Sequence, residues 1–441
     1  MADKNSIPRI GARNWSVLIT IGLVGQIAWT IENMYLNLFV YHEITDNPHV
    51  IAVMVAASAV VATLTTLFMG ALSDHLGKRK VFITAGYILW GITTLLFAFS
   101  DPKSLAEIFP VAQSAQLASI AVITLDCVMT FFGSTANDAS FNAWVADISL
   151  PEQRGRIQAV LSAFPLISML LVFGILDPLT QQGHWNYFFF IVGGITIFTG
   201  ICNIFLMKDS QVNAGASGLF HKISYGFRPA VVQQNKQLYL VFAILLVMSS
   251  AIQVYMPYLL IYVQNYLRFD NYPILLGIVL LGAASLSILF GRVIDKVGKA
   301  KVLVVGLVLQ FVGLVAMYFA RNFAAVAVSG IAVIGFSMVS LACLQGLMQD
   351  NFPAGTAGRF QGIRMIFAVM LPMIIGPFIG STVIASSALT YEDLGVVKQV
   401  PTPGIFLAAA IVLVLCALPY YLFVKRIPAE TSQISTDADI N

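Results

Sequence analysis

Residues 70–80 read GALSDHLGKRK, and residues 291–301 read GRVIDKVGKAK. In both stretches a glycine is followed four residues later by an aspartate, then by a second glycine and by basic residues. Each stretch lies between two long apolar segments, so the same polar loop occurs twice in the chain. A repeated loop in a hydrophobic chain predicts two homologous membrane halves, the arrangement with which many secondary transporters build alternating access.

The composition predicts a membrane protein. Hydrophobic residues make up 58% of the chain and charged residues only 10%, whereas a soluble domain has about 25% charged residues. Twelve apolar stretches are long enough to cross a ~30 Å hydrocarbon core as helices, and none alternates as the strands of a membrane barrel do. We therefore expect an all-α membrane protein with twelve transmembrane helices in two pseudo-symmetric six-helix bundles. The predicted spans are 15–41, 49–72, 81–99, 118–145, 158–176, 187–207, 237–262, 272–290, 302–320, 323–345, 362–385 and 404–424.

The distribution of positive charge predicts the orientation. Of the 24 lysines and arginines, all but Lys103, Arg268, Arg321 and Lys398 fall on the side of the N-terminus, which leaves 20 on that side. Cytoplasmic loops carry this excess, so both termini are expected in the cytoplasm of a bacterial cell, with a multi-pass protein in its cytoplasmic membrane. The first apolar run is too long for a signal-peptide core and is expected to be retained. The net charge of +3 requires no nucleic-acid partner.

The polar stretch 208–236 separates six predicted spans from six. We expect an N-terminal bundle at 1–207, a cytoplasmic linker at 208–236, a C-terminal bundle at 237–426 and a cytoplasmic tail at 427–441. The polar composition of the tail is typical of a disordered segment.

The loop at 70–80 resembles the signature of the major facilitator superfamily between its second and third helices, and 291–301 resembles a degenerate copy of that signature. Together with the six-plus-six layout, this resemblance covers the whole chain. Three further stretches resemble the glycoside–pentoside–hexuronide:cation symporter group, which includes sucrose- and melibiose-type carriers. They are ENMYLNLFVY at 32–41, NAWVADISLPEQRG at 142–155 and RMIFAVMLPMIIGPFIGS at 364–381.

This second resemblance implies a symporter of sugars or glycosides, but one feature of the group is missing. Melibiose-type members place aspartates in the second helix to bind the coupling cation, whereas residues 49–72 contain no acidic residue. A sodium site of the melibiose type is therefore not expected at this position.

The repeated loop also contains candidate gating residues. Gly77 permits a tight reversal of the chain, and the Asp74 carboxylate can dock on the positive end of a neighbouring helix. The family resemblance implies such a contact between the bundles, with Arg364 of the other half adding a formal charge, and similar logic pairs Asp295 with an arginine of the first half. The alternative is that these residues only fix the topology. The expected gating residues are Asp74, Gly77, Arg79, Asp138, Arg154, Asp295 and Arg364, with Arg156 as another partner for Asp295.

Glu32 lies within the first predicted span, past its middle. A charge near the bilayer centre costs at least about 2.5 kcal/mol, so it usually faces a cavity or a partner. Gln26, Asn33 and Asn37 share one helical stripe, and Trp29 lies close to it. Amide and indole groups do not favour lipid, so we expect a cavity wall on which Glu32 binds substrate hydroxyls or a proton. The alternative is a hydrogen-bonded seam between helices.

The second intramembrane carboxyl group belongs to Asp126 in the fourth span, and Thr130 and Asn137 continue its face. A buried carboxylic acid can exchange a proton near neutral pH. We therefore expect Glu32 or Asp126 to bind the coupling ion, either H⁺ or Na⁺. Asp138 is expected in the cytoplasmic gate or in a structural hydrogen bond.

The seventh span is the counterpart of the first and presents Tyr255 and Tyr258 on one face. Aromatic rings pack against the apolar faces of sugars, while phenol and amide groups hydrogen-bond their hydroxyls. Tyrosines also gather at membrane interfaces, so an aromatic belt is the alternative. The residues expected to bind substrate are Gln26, Trp29, Glu32, Asn33, Asn37, Asn137, Tyr255, Tyr258 and Gln345, with Gln253 and Gln349 as further candidates.

Several kinds of site are missing from the sequence. No lysine or arginine lies at mid-membrane, which disfavours anionic substrates. There is no GxxxxGK[ST] phosphate-binding loop and no Ser-His-Asp or metal-ligand constellation, and the four cysteines lack metal-ligand spacing. We therefore expect neither an enzyme nor an ATP-driven pump, and no metal or cofactor apart from the coupling ion.

These patterns predict a proton- or cation-coupled symporter of a neutral polar solute, such as a sugar or glycoside, that works by alternating access. Its expected partners are that small-molecule solute and the lipid bilayer, and we expect a monomer. Two alternatives stay open. One is a proton-coupled exporter of drugs or metabolites, which the aromatic residues would suit, and the other is a membrane receptor that transports nothing.

Overall fold

The computed structural model of the chain describes residues 11–106, 111–149, 151–209, 227–353, 360–387, 390–393 and 396–425. Within these ranges 12 helices are long and apolar enough to cross a membrane, as predicted. We number these helices as spans 1 to 12 in chain order. They are Ala12–Ile44, Pro48–Leu76, Arg79–Phe99, Gln116–Ile148, Arg156–Gln181, Trp185–Leu206, Lys236–Tyr266, Tyr272–Val297, Lys299–Phe319, Phe323–Asn351, Gly362–Ser386 and Gly404–Val424.

Because the number of spans is even, span 1 begins and span 12 ends on the same side of the bundle. We call this the termini side and the other the opposite side. Several helices extend beyond the predicted apolar stretches, because polar residues continue and cap them. Span 2 begins at Pro48 after Asn47, whose side chain accepts a hydrogen bond from the backbone N–H of His49. It ends at Gly77, whose φ of 63° lies in the left-handed region that glycine adopts without strain.

The two halves repeat the same packing. In the first half, span 3 packs on spans 4 and 6, span 1 on span 5, and span 2 on span 4. In the second half, span 9 packs on spans 10 and 12, span 7 on span 11, and span 8 on span 10, so each pair recurs six spans later. Span 2 also packs on span 11, and span 5 on span 8, across the boundary between the halves. This arrangement confirms the predicted fold of two pseudo-symmetric six-helix bundles.

The interior and the outer surface of the bundle are both rich in apolar side chains. Trp90 and Trp144 in the first half and Phe242 and Phe360 in the second are among the largest fully buried side chains. On the outside, the side chains with high exposure include those of apolar residues such as Ile288. An apolar outer surface of this extent is typical of a protein that is solvated by lipid.

Spans 1, 4, 5, 7 and 11 contain short π-helical stretches, in which a backbone N–H bonds the carbonyl five residues earlier. Such inserts widen the helix locally and are frequent at functional sites. The apolar pattern of the sequence did not predict these π-helical stretches. The stretches are Ile31–Tyr35, Val40–Ile44, Ser134–Phe141, Val172–Leu176, Tyr262–Tyr266 and Ile366–Met370.

Spans 11 and 12 are joined on the opposite side by a small antiparallel hairpin. Strand β1 covers Thr390–Asp393 and strand β2 covers Val396–Gln399, with Thr390 paired to Gln399. The sequence analysis predicted no element between residues 385 and 404. The linker and tail predictions stay untested, because residues 210–226 and 426–441 lie outside the described part of the chain.

Candidate functional site

A cavity of about 260 Å³ lies between the two halves, beside Glu32. Residues of spans 1, 2, 4 and 5 in the first half and of spans 7 and 11 in the second line it. The lining includes five residues that the sequence predicts for substrate or ion binding, namely Gln26, Trp29, Glu32, Asn33 and Asp126. The fold therefore brings both intramembrane acids and part of the amide stripe to one place.

Glu32 and Asp126 form a pair of buried carboxyl groups, which are 7% and 1% exposed. The Thr130 hydroxyl donates a hydrogen bond of 2.7 Å to Glu32 Oε1. Glu32 Oε2 and Asp126 Oδ1 are buried and accept no hydrogen bond from the described part of the protein. The two carboxyl groups are close enough to interact electrostatically. Like charges at one buried site repel each other, so a proton or a cation bound between these groups would be stabilised.

Within the described ranges, no group of three or more His, Cys, Asp or Glu side chains is placed to hold a metal ion. The cysteines, all within spans, are reduced: Cys127 and Cys202 are half-buried, and Cys343 and Cys416 are buried.

The polar side chains of span 1 are held by their own helix. Asn33 Nδ2 donates to the carbonyl oxygen of Trp29 at 2.8 Å, and Asn37 Nδ2 donates to the carbonyl oxygen of Asn33 at 2.8 Å. Each amide thereby keeps its side-chain oxygen as an acceptor for another group. Glu32 lies between these residues in the π-helical stretch Ile31–Tyr35.

The indole of Trp29 is fixed by a chain of aromatic contacts. Its ring centroid lies 5.0 Å from that of Trp90, and Trp90 lies 5.5 Å from Tyr87. The Tyr87 hydroxyl donates a 2.7 Å hydrogen bond to the carbonyl oxygen of Ile21 in span 1. This contact chain anchors the cavity wall of span 1 to span 3, so the indole can offer a rigid face to a solute.

The second half contributes a different kind of wall. Its lining residues are Ile252, Gln253, Met256, Pro257 and Met373. Only the glutamine side chain among these five can donate or accept a conventional hydrogen bond. Sequence reasoning named this glutamine only as a further candidate and found no signal for the methionines, because their spacing is also that of ordinary buried residues.

Three of the predicted substrate-binding residues lie outside the cavity lining. Asn37 is buried nearer the opposite side, with its Oδ1 atom unpartnered among the described groups. Asn137 packs against span 1, where a Cβ atom added at Gly25 would lie 2.3 Å from Asn137 Nδ2. Gln345 is exposed on the termini side of span 10. A contact of these residues with solute in another state stays a prediction.

The two predicted tyrosines of span 7 also lie outside this lining. The Tyr255 ring packs at 5.4 Å on Phe406 of span 12. The Tyr258 hydroxyl is shared between the carbonyl oxygens of Pro48 at 3.1 Å and Pro377 at 3.0 Å. Tyr258 therefore connects span 7 with span 2 of the other half and with span 11.

The loop between spans 2 and 3 is organised around a buried arginine. Arg79 is 3% exposed, and its guanidinium forms an ion pair with Asp74 and another with Asp147 at 3.3 Å. It also donates to the hydroxyl of Ser73. In this state Arg79 therefore ties the termini-side ends of spans 2, 3 and 4 together, all within the first half. A latch from Asp74 to the other half stays a prediction for a different state.

The remaining residues predicted to take part in gating lie at the ends of their spans or within span 4. Asp295 is exposed at the end of span 8, and Arg156 lies with its guanidinium 5.4 Å from the ring centroid of Trp15. The side chain of Arg154 lies outside the described part of the chain. Arg364 is half-buried at the beginning of span 11, and Asp138 accepts a 3.1 Å hydrogen bond from the Ser134 hydroxyl within span 4.

A buried carboxylate joins the halves on the opposite side. Asp177, at the end of span 5, is fully buried and accepts hydrogen bonds from Tyr35 at 2.8 Å and from Gln181 at 2.6 Å. Tyr272, which begins span 8 in the second half, donates its hydroxyl to the same carboxylate. Sequence reasoning missed this contact because it ended the fifth span at residue 176 and left Asp177 in a loop.

Other polar contacts on the opposite side also cross between the halves. The Tyr41 hydroxyl donates to the carbonyl oxygen of Gln399 at 2.7 Å, and the Gln399 N–H donates to Asp46 Oδ2 at 2.7 Å. The ring of His42 lies 3.3 Å from the side-chain oxygen of Gln264. The halves are therefore held together beyond the cavity, on the side away from the chain ends.

Comparison with known proteins identifies the family. The family model described as the Major Facilitator Superfamily matches residues 18–377 and 274–439. The chain belongs to the Major Facilitator Superfamily. It is accordingly a multi-pass membrane transporter and not an enzyme. No curated protein matches the chain at the sequence level.

Solved structures of other transporters share the superfamily fold. A nucleoside transporter, NupG, aligns with a TM-score of 0.66 at 11% identity over 94% of this chain and 99% of its own. A D-xylose-proton symporter gives a TM-score of 0.69 at 14% identity over 93% and 97%. The inward-open xylose transporter XylE from E. coli gives 0.68 at 14% identity over 94% and 96%. At these identities the likeness establishes the fold alone.

Proposed function

We propose that this chain is a secondary active transporter that couples uptake of a neutral polar solute, such as a sugar or glycoside, to a proton or cation by alternating access. The observation that carries the proposal is the cavity between the halves, where two buried carboxyl groups lie beside amide, hydroxyl and indole groups. Its described lining contains no lysine or arginine, which an anionic solute would require. The likeness to a D-xylose-proton symporter and to a nucleoside transporter supports a polar solute.

The contrast between the cavity walls narrows the solute further. Almost all hydrogen-bonding side chains of the lining come from the first half, whereas the wall of the second half is apolar apart from Gln253. A solute that fits both walls would turn hydroxyl groups toward span 1 and an apolar face toward spans 7 and 11. The volume of about 260 Å³ lies just below the usual range of about 300–1,000 Å³ for ligand pockets. This favours a single-ring sugar or a small glycoside over a disaccharide.

Glu32 and Asp126 are the groups that we assign to coupling. A proton or Na⁺ held by this pair would relieve the repulsion between the two carboxylates. The solute would then bind beside a neutralised pair, so ion binding and solute binding would favour each other.

We place the termini side in the cytoplasm of a bacterial cell, because 20 of the 24 basic residues lie on that side. In this orientation the contacts at Asp177, Tyr258 and Gln399 close the extracellular side. The exposed amides of Asn142 and Gln345 lie in the cytoplasmic halves of spans 4 and 10. Water solvates such amides far better than lipid does, so this state is open to the cytoplasm.

Transport would then require the extracellular contacts to break while cytoplasmic contacts form between the halves. We propose that the protein does this as a monomer in the bilayer. The residues that we assign to the cytoplasmic side of this exchange are Asp74, Gly77, Arg79, Arg154, Asp295 and Arg364.

The test is solid-supported-membrane electrophysiology on proteoliposomes that contain the purified protein. Neutral mono- and disaccharides are applied with and without Na⁺ and at two pH values. We expect a saturable current with monosaccharides that Glu32→Gln and Asp126→Asn abolish. Asp270→Asn is the matched control, because it neutralises an exposed acid on the opposite side. Undiminished currents in both cavity variants would refute the coupling assignment, and a folded protein that is silent with every sugar would refute the solute class.

A second candidate function is proton-coupled export of apolar or amphipathic compounds. Five methionines line the cavity, namely Met34, Met54, Met169, Met256 and Met373. Methionine side chains are flexible and polarisable, so they adapt to unlike ligands, as multidrug binding requires. Currents evoked by amphipathic compounds, together with silence toward sugars, would favour this function over symport.

A further inference from the structure

Span 4 carries a polar stripe that leads away from the cavity. Asp126, Thr130, Ser134 and Asp138 follow one another at intervals of four residues, so they lie along one face of the helix. Thr130 donates to Glu32 at 2.7 Å, and Ser134 donates to Asp138 at 3.1 Å. The stripe begins at the cavity and runs toward the termini side.

The burial of the stripe changes along its length. Thr130 and Ser134 are fully buried, whereas Asp138 is half-buried and lies closer to the termini side. From Ser134 to Phe141 the helix is π-helical. In an α-helix, every fourth residue is rotated slightly around the helix axis from the one before. A π-helical turn contains more residues than an α-helical turn, so it offsets this rotation. Asp138 is not among the cavity-lining residues, so solute recognition does not explain it.

The neighbours of Asp138 come from several spans. Glu32 of span 1 and Tyr87 of span 3 are the titratable groups that interact with it electrostatically. Span 2 packs on the same segment of span 4, with Gly70 beside Ala139. All of these neighbours of Asp138 belong to the first half, so they give no support to a role of Asp138 in a latch between the halves.

This region contains buried polar atoms that the described protein groups leave unpartnered. Besides Glu32 Oε2 and Asp126 Oδ1, they include Asn137 Nδ2 and Ser140 Oγ of span 4 itself. Buried polar atoms are almost always hydrogen-bonded to protein or to ordered water. A series of such atoms beside a hydroxyl-lined stripe therefore identifies a place for bound water.

We propose that the span 4 stripe, together with bound water, is the route by which the coupling proton passes between the carboxyl pair and the termini side. Asp138 is the proton acceptor nearest the termini side. This inference rests on the proton coupling proposed above. The O–H bond of the Glu32 carboxylic acid breaks and an O–H bond forms on the Asp138 carboxylate. Each intervening hydroxyl or water accepts one proton and gives up another, so it ends unchanged. Asp138 then releases the proton to water on the termini side.

The spacing of the stripe is compatible with this transfer. Thr130 and Ser134 are one helical turn apart, which is a rise of about 6 Å. That is too far for a direct hydrogen bond but is spanned by one water molecule. The hydrogen bonds at either end, Thr130 to Glu32 and Ser134 to Asp138, complete the route. When Glu32 carries the proton, its O–H group donates to the Thr130 oxygen, and the Thr130 hydroxyl turns its own hydrogen toward the water.

The test uses protons alone as the probe, so it does not depend on the unidentified solute. A rapid step in pH is applied to proteoliposomes on a solid-supported membrane, and the displacement of charge is recorded without sugar. In Asp138→Asn we expect the amplitude to persist, because the carboxyl pair still binds the proton, and the relaxation to slow by at least about tenfold. Ser134→Ala removes the hydroxyl with little change of volume and is expected to slow the relaxation in the same direction. Asp270→Asn is the control and should relax at the wild-type rate.

The outcomes separate this inference from the proposed function. If Glu32→Gln and Asp126→Asn abolish the charge displacement while Asp138→Asn and Ser134→Ala relax at the wild-type rate, the route is refuted and the coupling stands. If the wild-type protein shows no displacement of charge, the route and the proton coupling on which it rests are both refuted, whereas coupling to Na⁺ is not. Should Asp138→Asn fail to fold, Ser134→Ala decides alone, because alanine differs from serine only by the hydroxyl group.

Discussion

Tyr272→Phe removes the hydroxyl that joins the halves at Asp177, and we predict that this substitution opens the opposite side of the protein. Both residues are buried, and the hydroxyl of Tyr272 donates to a carboxylate of the other half. A hydrogen bond to a charged group contributes about 1.5–3 kcal/mol. This bond exists only while the halves are closed on that side. Its loss should therefore lower the ratio of closed to open molecules by roughly 10- to 150-fold.

The same carboxylate provides a matched control. Tyr35 also donates to Asp177, at 2.8 Å, but both residues belong to the first half. Tyr35→Phe therefore weakens the closed and the open states alike, and the ratio between them should stay close to that of the wild type. Phenylalanine preserves the ring at either position, including the stacking of residue 35 on Phe188, whose centroid lies 5.3 Å away.

The assay is a distance measurement between spin labels by pulsed electron resonance in nanodiscs. Labels are placed at Gln182 after span 5 and at Asp270 before span 8, both of which are exposed on the opposite side. The background protein lacks the native cysteines Cys127, Cys202, Cys343 and Cys416. We expect a longer distance to become populated in Tyr272→Phe and not in Tyr35→Phe. Equal distributions in both variants, or an equal shift in both, would show that the Tyr272 hydroxyl does not hold the halves together.

Three further predictions concern the stability of the protein in detergent, measured by thermal unfolding. Arg79→Ala should lower the free energy of unfolding by about 2 kcal/mol, because it removes the guanidinium that the partly solvated Asp74 and Asp147 share. Lys78→Ala, at the exposed neighbouring position, is the control and should leave the free energy of unfolding unchanged. Gly380→Ala should destabilise by about 1–3 kcal/mol, since its Cβ would lie 2.2 Å from a backbone oxygen of span 7. Gly194→Ala, which has open space around it, is the control for that variant. Gly77→Ala should lower the free energy of unfolding by about 1–2 kcal/mol, because the φ of 63° at this position strains a residue that has a Cβ atom. For each of the three variants, an unchanged melting temperature would refute the argument given for it.

The membrane spans could be predicted from sequence because a single physical quantity, the length of an uninterrupted apolar stretch, determines them. Their ends could not, since the polar turns that continue a helix look like loops. Span 2 runs four residues past its apolar stretch, to Leu76, before Gly77 ends it. Asp177 lay just beyond a predicted end for the same reason, and its contact with Tyr272 went unseen.

The candidate site shows a similar division. An acid within an apolar segment must find a cavity or a partner, so Glu32 and Asp126 could be located from sequence, and the structure brings them together. The sequence also predicts that the span 7 tyrosines share one helix face. It does not predict which neighbouring helix this face contacts, because that depends on tertiary packing. In the structure Tyr258 bonds backbone carbonyls of spans 2 and 11. The apolar pattern of the sequence also did not predict the π-helical stretches.

The hairpin between spans 11 and 12 forms, together with the end of span 1, a surface that exists only while the opposite side is closed. Strand β2 belongs to the second half, yet Gln399 bonds both Tyr41 and Asp46 of the first. An antibody fragment whose epitope combines β2 with the adjoining end of span 1 would find both parts together only while that side is closed. Such a binder would select one conformation from the opposite side of the protein without touching the cavity, and could serve as an inhibitor or as a rigid marker for imaging.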